Sequence, residues 1–460
     1  MAGALGPSSF MAVSMGIVLA DWFTEHRITE VECMVPDIAG IPRGKILPAR
    51  KFLTSIEERG LRLPESIFVQ TVTGTYASER ETDRRVSDVY LSPVVETVRA
   101  IPWYDEPAAQ IIHDPYYFDG SPVDIAPRHV LRRVLDLYAA RGWRPVVAPE
   151  LEFFLVKVNE DPDYPLEAPI GRSGRPETAR QAYGIDAVNE FDPLFEDIYD
   201  HCEAQGIDID TLSHEAGAAQ MEINFNHGDA LELADQAFLF KRTVRQTALN
   251  HNLHATFMAK PMQDQPGSAM HVHLSVRDLE TGRNLFVTEA GEDSEAFFHA
   301  LAGMQRYLSG AMALMAPYVN SYRRHSLTED SPTNLAWGMD NRTVGLRVPT
   351  GDPANRRIEN RVPGADANPY LAIAASLATI WLGLQEQRRP TRPRTVSGED
   401  LTTLPRNLDI ALDALERAGP LQEILGEQFV KLFIEVKRGE SDAFLEVISP
   451  WEREYLLLNV

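Results

Sequence analysis

The chain has 460 residues, 44% of them hydrophobic and 24% charged. That is more than one compact core accommodates, so two or three domains, one small and one large, are expected. With 44 Lys and Arg against 67 Asp and Glu, the formal charge of -23 argues against nonspecific contact with nucleic acid or an anionic membrane. Cys33 and Cys202 stand far apart without a CxxC pair, so neither a disulfide framework nor a thiolate zinc site is supported, and a reducing cytoplasm is expected.

The opening stretch Met1 to Ala20 is apolar but lacks a basic leader, and Ser14 and Gly16 interrupt it, which predicts a flexible tail through residue 15 followed by a helix over 17–26. Ile28 to Val35 reads as a strand ending in turn chemistry at Pro36, Asp37 and Gly40. A sheet-rich module runs from there to a proline-containing stretch between Trp103 and Pro127 with an Asp119-Gly120-Ser121-Pro122 turn, and the domain division is placed at 110/111. Pro127 to Arg141 has the periodicity of an amphipathic helix. Strands over 146–156, 207–212, 220–225, 254–258 and 270–276 then alternate with helices near 190–205, 228–250 and 293–315, an α+β pattern. Leu371 to Gly383 is apolar but shorter than the roughly 20 residues needed to cross a bilayer, so it is assigned to a core helix. Arg388 to Arg394 reads as a surface connection.

The chemistry lies in four clusters. In Glu150-Leu151-Glu152 two carboxylates stand two apart on an otherwise apolar strand and therefore project from one face. Buried like charges require a cation. Gln220, Glu222 and Asn224 likewise share a strand face, and Glu215 precedes a small-residue turn able to fold it toward them. In Met270-His271-Val272-His273-Leu274-Ser275 the polar side chains again alternate, and Arg357, Glu359 and Arg361 share one face if their segment is extended. Five glutamates and one histidine form a hard, oxygen-rich donor set that favours magnesium or manganese over zinc, in a number that suits two ions. Arg324, Arg342, Arg347, Arg357 and Arg361 have the charge needed to neutralise a transferring phosphoryl group. Taken singly, each cluster also fits a plain surface reading: an acidic strand edge, a turn carboxylate, a structural histidine or an exposed ion-pair strand.

Two motifs are not met. Ala218 stands where HExxH requires its second histidine, and Gly40-Ile41-Pro42-Arg43-Gly44-Lys45-Ile46 is one residue short of a P-loop and lacks the final hydroxyl. The Asn341-Arg342-Thr343 sequon carries no argument without a secretory signal.

These clusters, in this order, together with Asp37-Ile38-Ala39-Gly40, Arg43-Gly44-Lys45 and Ala367-Asn368-Pro369-Tyr370-Leu371, resemble the glutamine synthetase family over nearly the whole chain. The resemblance implies a β-grasp domain at 16–110, a larger catalytic domain at 111–460 with a curved antiparallel sheet and helices, and active sites shared between subunits of a dodecamer of two stacked hexameric rings. It implies two Mg2+ or Mn2+ ions per site and ATP as co-substrate. By motif, Glu152, Glu215 and Glu222 hold the ion nearer glutamate, and Glu150, His271 and Glu359 the ion bridging ATP phosphates. Gly267, Arg324 and Arg361 meet glutamate; His273, Ser275, Arg347 and Arg357 lie on the ATP side; Arg342 and Arg347 act on the transferring phosphate.

The departures bear on the nucleophile. Ammonia-using members carry an Asp-Gly-Ser-Ser motif whose aspartate binds ammonium in the next subunit, whereas Val72-Thr73-Gly74-Thr75 has no acid here. The flap reads Arg324-His325-Ser326-Leu327-Thr328-Glu329-Asp330-Ser331-Pro332, with Asp330 at the catalytic glutamate position and Glu329 beside it. Thr402 replaces the modified tyrosine of regulated bacterial members. These features resemble γ-glutamylpolyamine and γ-glutamylmonoamine synthetases more than ammonia-using enzymes. The expected activity is therefore ATP-dependent joining of glutamate to an organic amine through γ-glutamyl phosphate; the alternatives are a true glutamine synthetase and a non-catalytic relative.

Overall fold

The computed structural model describes residues 9–76, 87–178, 180–327, 331–394 and 403–460. The first helix, Ser9–Glu25, begins inside the segment expected to be a tail. Its run from Phe10 to Ala20 holds no proline, and the lone Gly16 costs only about 1 kcal/mol relative to alanine, too little to stop an apolar helix.

Among the described residues, the N-terminal sheet contains β1 (Glu30–Pro36), β2 (Pro42–Pro48), β3 (Arg62–Pro64), β4 (Asp88–Pro93), β5 (Arg99–Ala100) and β6 (Ala108–Tyr116), in the order β2-β1-β6-β4-β3 with β5 on β6. The glycine-containing segment that falls short of a P-loop forms the β1–β2 hairpin. Asp37 closes it, its Oδ1 accepting the Ala39 and Ile41 amides at 2.9 Å each. β6 is buried along its whole length and pairs in parallel with β1. It therefore runs across the division expected at 110/111: the small sheet recruits its central strand from residues on both sides of that point.

The second sheet is built around the 15-residue β7 (Trp143–Lys157). β8 (Ile209–His214), β9 (Gln220–Phe225), β10 (Gly228–Asp229), β11 (Leu253–Thr256), β12 (Met270–Asp278), β13 (Trp337–Met339), β14 (Leu346–Val348) and β15 (Ile358–Asn360) complete it, in the order β13-β14-β15-β12-β7-β9-β8 with β10 and β11 also on β7. The sheet curves almost closed. The amphipathic pattern fixes its faces: Leu151, Phe153, Met221, Ile223, Val272 and Leu274 are fully buried in the core, and the alternate residues face a polar hollow. Helix Pro369–Glu386, capped by the Asn368 side chain on the Tyr370 amide, lies in the core as expected. Among the described residues no helix is long and apolar enough to cross a membrane.

A buried ion network ties the N-terminal sheet to the helices packed on the second. Arg128, on helix Pro127–Ala139, donates to Asp114 of β6 at 2.7 Å and to Asp235 of helix Ala230–Asn250 at 2.9 Å, and the Tyr370 hydroxyl donates to Asp235 at 2.6 Å. Removing one member of such a network leaves uncompensated buried charge. Arg128→Met is expected to lower stability by roughly 3–5 kcal/mol, measured by denaturant unfolding; a change below about 1 kcal/mol would show that the network is solvated.

Candidate active site

Strand register assembles the site. In the antiparallel pairing Glu150 lies opposite His271 on one side and Asn224 on the other, Glu152 opposite Glu222, and Glu359 opposite both His273 and Arg347. Directly opposed residues are near neighbours, so five strands bring these groups together although they span more than 200 positions of sequence. The hollow they line has a volume of ≈ 930 Å³ and includes Glu150, Glu152, Glu215, Glu222, His271 and Glu359.

Two groups of donor atoms lie within 4.8 Å of one another: Glu150, His271 and Glu359, and Glu152, Glu222 and His271. The first is the set expected to hold the ion on the phosphate side. The second places His271, where the sequence reading had Glu215, in the tight group. Glu215 lines the same hollow from its turn, which is closed by the Glu215 amide donating to the Gln220 carbonyl at 2.8 Å and the Ala219 amide to Glu177 at 2.9 Å.

Burial, reinforced by the neighbouring Glu215 charge, pushes the Glu152 carboxyl up to about 8. Burial and the charges of Glu150, Glu152 and Glu215 push Glu222 up to about 9. Burial, aided by the adjacent Arg361 charge, pushes His271 down to about 4, keeping its imidazole neutral. Mutually repelling buried carboxylates with a neutral ring nitrogen form a donor set that a divalent cation satisfies, so these residues fit the metal-binding role.

At the other end of the hollow Arg324 is almost fully buried, its guanidinium donating to the Val362 and Arg361 carbonyls at 2.8 and 3.0 Å. Gly267 permits this: a Cβ there would stand 2.5 Å from the Arg324 side chain and 2.6 Å from the Ala259 carbonyl. Arg347 and Arg361 each donate to Glu359 at 2.6 Å, one to each carboxylate oxygen. Among the described residues the Nε atoms of both arginines are buried without an acceptor, donors that oxygen-rich substrate groups would satisfy. Arg342 also lines the hollow. A second cavity of ≈ 290 Å³ shares Glu150 and Asn224 with the first and is lined by His273, Ser275 and Arg357, the residues expected on the ATP side. His273 bridges Glu150 at 2.6 Å and Arg357 at 3.1 Å. Glu329 and Asp330 lie outside the described residues, as does Thr402.

A scan of protein families matches residues 124–456 to the catalytic domain of glutamine synthetase. The chain belongs to the glutamine synthetase family. It is 36% identical over 437 residues to the gamma-glutamylputrescine synthetase of Escherichia coli (strain K12), covering 93% of this chain and 92% of that protein. It is 30% identical over 443 residues to a glutamate–isopropylamine ligase of a Pseudomonas species, covering 94% and 95%. Among solved structures, ligand-free GmaS superposes with a TM-score of 0.80 at 28% identity over 96% of this chain and 99% of that one. The α+β fold with a curved catalytic sheet, the family and the ligase class expected from sequence are all supported by these likenesses. Members of the family use ATP and divalent metal ions.

Two residues important to this glutamine synthetase-type site were not given roles from sequence. Gln220 donates to Glu152 Oε2 at 3.1 Å and to the Gly267 carbonyl at 3.0 Å, and accepts the Gly217 amide at 2.9 Å. The Ala269 amide donates to the same Glu152 oxygen at 2.8 Å, so one carboxylate oxygen is saturated and the other is left for a ligand. The signal was present, since Gln220 stands in phase with Glu222 on a polar strand face. Tyr183 lines the hollow from an irregular loop, with φ of 60°, a conformation bulky residues rarely adopt. No periodicity marks such a position.

Two expectations follow. Without divalent metal, Glu152 and Glu222 stay protonated in the fold up to about 8 and 9 but ionise near 4.5 when unfolded. Stability should therefore fall as pH rises across that window. Mn2+ affinity should rise over the same window with proton release, seen by titration calorimetry in buffers of different ionisation enthalpy; a pH-independent affinity would contradict the raised carboxyls. Gln220→Leu should weaken Mn2+ binding roughly 10–100-fold with the far-UV spectrum unchanged, and parent-like affinity would show that Gln220 does not orient Glu152.

Proposed function

We propose that this chain is an ATP-dependent ligase that forms a γ-glutamyl amide from glutamate and an organic amine. The observation that carries the choice of amine is the turn at Val72-Thr73-Gly74-Thr75. It is closed by the Thr71 and Thr75 backbones at 2.8 Å, with Gly74 at φ 83°, and presents Thr73 to solvent without an acid. In the ammonia-using pattern an aspartate stands in this motif. The relatives named for putrescine and isopropylamine support the same reading.

The residues divide the work along the hollow. Arg324 and Gly267 frame the glutamate end, and Arg361 lies between it and the phosphate. Arg347, Arg342 and Arg357 neutralise the phosphoryl group, and His273 and Ser275 lie beside the nucleotide. The glutamate side-chain carboxylate attacks the γ-phosphorus of ATP, ADP leaves, and γ-glutamyl phosphate forms. The amine nitrogen then attacks the acyl carbon, phosphate leaves, and the nitrogen loses a proton. Bound Mg2+ or Mn2+, held by Glu150, His271 and Glu359 and by Glu152, Glu215 and Glu222, would supply charge neutralisation at the phosphate oxygens. Only an unprotonated amine is nucleophilic, and Asp330, with Glu329 beside it, is proposed as the base. The same reading carries a dodecamer, a cytoplasmic location and a division into small and catalytic domains in which β6 belongs to the small one.

Phosphate release with glutamate, ATP and a panel of putrescine, isopropylamine, ethanolamine and ammonia tests this. The expected result is saturation by an organic amine at concentrations at least ten-fold below those of ammonia. Saturation by ammonia at low millimolar levels, with organic amines inert, would instead make the chain a glutamine synthetase. The 33% identity over 432 residues to the glutamine synthetase of Pyrococcus abyssi keeps that the second reading.

A further inference from the structure

Of the six residues expected to hold metal, Glu215 alone is carried by no strand. It stands outside both tight donor groups and lines the hollow from the turn between β8 and β9. A residue on a ladder is placed by its register, whereas one on a turn depends on whatever fixes the turn. The bonds within this turn are few: the Glu215 amide donates to the Gln220 carbonyl at 2.8 Å and the Gln220 amide to the Gly217 carbonyl at 3.1 Å. Ala219, which ends it, has φ of 55°, a left-handed conformation disfavoured for any residue with a Cβ. Such a turn keeps its shape only if it is also held from outside.

Glu177 supplies that hold. Its Oε2 accepts the Ala219 amide at 2.9 Å, and its Oε1 lies 2.9 Å from His214 Nε2. His214 in turn donates from Nδ1 to the Glu215 carbonyl at 2.7 Å. One carboxylate therefore grips both feet of the turn, at the residue before Glu215 and at the left-handed alanine. The His214 side chain is wholly buried and that of Glu177 is 10% exposed, so water competes little for these contacts. The Nε2–Oε1 contact is close but off the line of a hydrogen bond, which leaves the Ala219 amide as the directional contact of Glu177. The Ala219 carbonyl is taken by the Leu155 amide of β7 at 3.0 Å. Glu177 thus completes the fixing of this residue to the strand that carries Glu152. The segment bearing Glu177 returns to the same turn at Tyr183, whose amide donates to the His214 carbonyl at 2.9 Å.

We propose, resting on the reading above that Glu215 helps to hold the ion nearer glutamate, that Glu177 is the positioning residue for Glu215. It fixes the backbone from which the Glu215 carboxylate projects and acts on the ion through that carboxylate, as outer partners of metal ligands do. The other donor group, Glu150, His271 and Glu359, is placed by strand register and does not depend on Glu177. Loss of Glu177 should therefore be felt unequally by the two ions, whereas a residue that only stabilised the fold would affect both alike.

The test uses the full-length enzyme in its native assembly, with Mn2+ as the only added ligand. In titration calorimetry Glu215→Gln marks the class of Mn2+ site that this side chain serves, as the class it weakens. Glu177→Leu is expected to weaken that class roughly 10–100-fold and to leave the other within about two-fold of the parent. Glu177→Gln keeps an oxygen for the Ala219 amide and should stay within about three-fold of the parent at both. In the metal-free enzyme, Glu177→Leu should speed hydrogen exchange of the 215–220 amides about ten-fold while 221–225 keep their parent rates. Parent-like affinity in Glu177→Leu, equal weakening of both classes, or a loss in Glu177→Gln as large as in Glu177→Leu would overturn this role. So would unchanged exchange at 215–220, or exchange accelerated equally through 225. Should Glu177→Leu not fold, Glu177→Asp, too short to reach both His214 and Ala219, takes its place, with weakening of the same class alone expected and parent-like affinity overturning the role. If Glu215→Gln weakens neither class, the metal reading of Glu215 fails and the role of Glu177 with it. If Glu215→Gln weakens one class and Glu177→Leu none, the role of Glu177 falls and the metal reading stands.

Discussion

The rest of the catalytic sheet depends on repulsion between carboxylates that water cannot screen. Burial raises the proton affinity of Glu152, Glu215 and Glu222, and neighbouring carboxylates add to it, Glu215 at Glu152, Glu150 at Glu215, and all three of Glu150, Glu152 and Glu215 at Glu222; nothing but a rigid frame would hold them there. β7 supplies that frame. Its neighbours along both edges fix every residue by ladder hydrogen bonds, and the apolar alternate positions lock the face. A slip of one residue would turn Glu150 and Glu152 into the core and Leu151 into the hollow. The register is therefore enforced by hydrophobic burial on one side and serves metal chemistry on the other.

Around this acidic centre the arginines act as a counterweight with reserve. Glu359 has both oxygens taken by Arg347 and Arg361, yet each arginine keeps a buried Nε donor without an acceptor among the described residues. Such groups are costly in a finished interior. They make sense in a site whose complement of charges is completed by an oxygen-rich substrate, with little rearrangement of the protein when it arrives.

The clusters on strands were legible because a period of two places alternate residues on one face, and that rule located Glu150, Glu152, Glu222, His271 and Glu359 on the hollow and His273 on the cavity beside it. The central strands and helices followed from the same patterning. What periodicity cannot supply is relative placement. The resemblance, and not the spacing, grouped Glu215 with Glu152 and Glu222, and in the structure His271 takes the tighter position. Turn residues were harder still: Tyr183 reaches the hollow through a left-handed backbone conformation in an irregular loop, which leaves no pattern in the chain. The division at 110/111 fell inside β6 because prolines and turn residues report where the chain bends, not which sheet a strand joins.

The placement of Thr73 on a turn separates two evolutionary tasks. Most of the residues proposed to hold metal sit on ladders where one substitution disturbs several neighbours at once, whereas Thr73, proposed for the amine end, projects from a turn that tolerates change individually. A lineage could thus trade one nitrogen nucleophile for another by altering a few loop positions while the activation of glutamate is inherited untouched. Diversification of acceptors on a common activation engine is the outcome such an architecture permits.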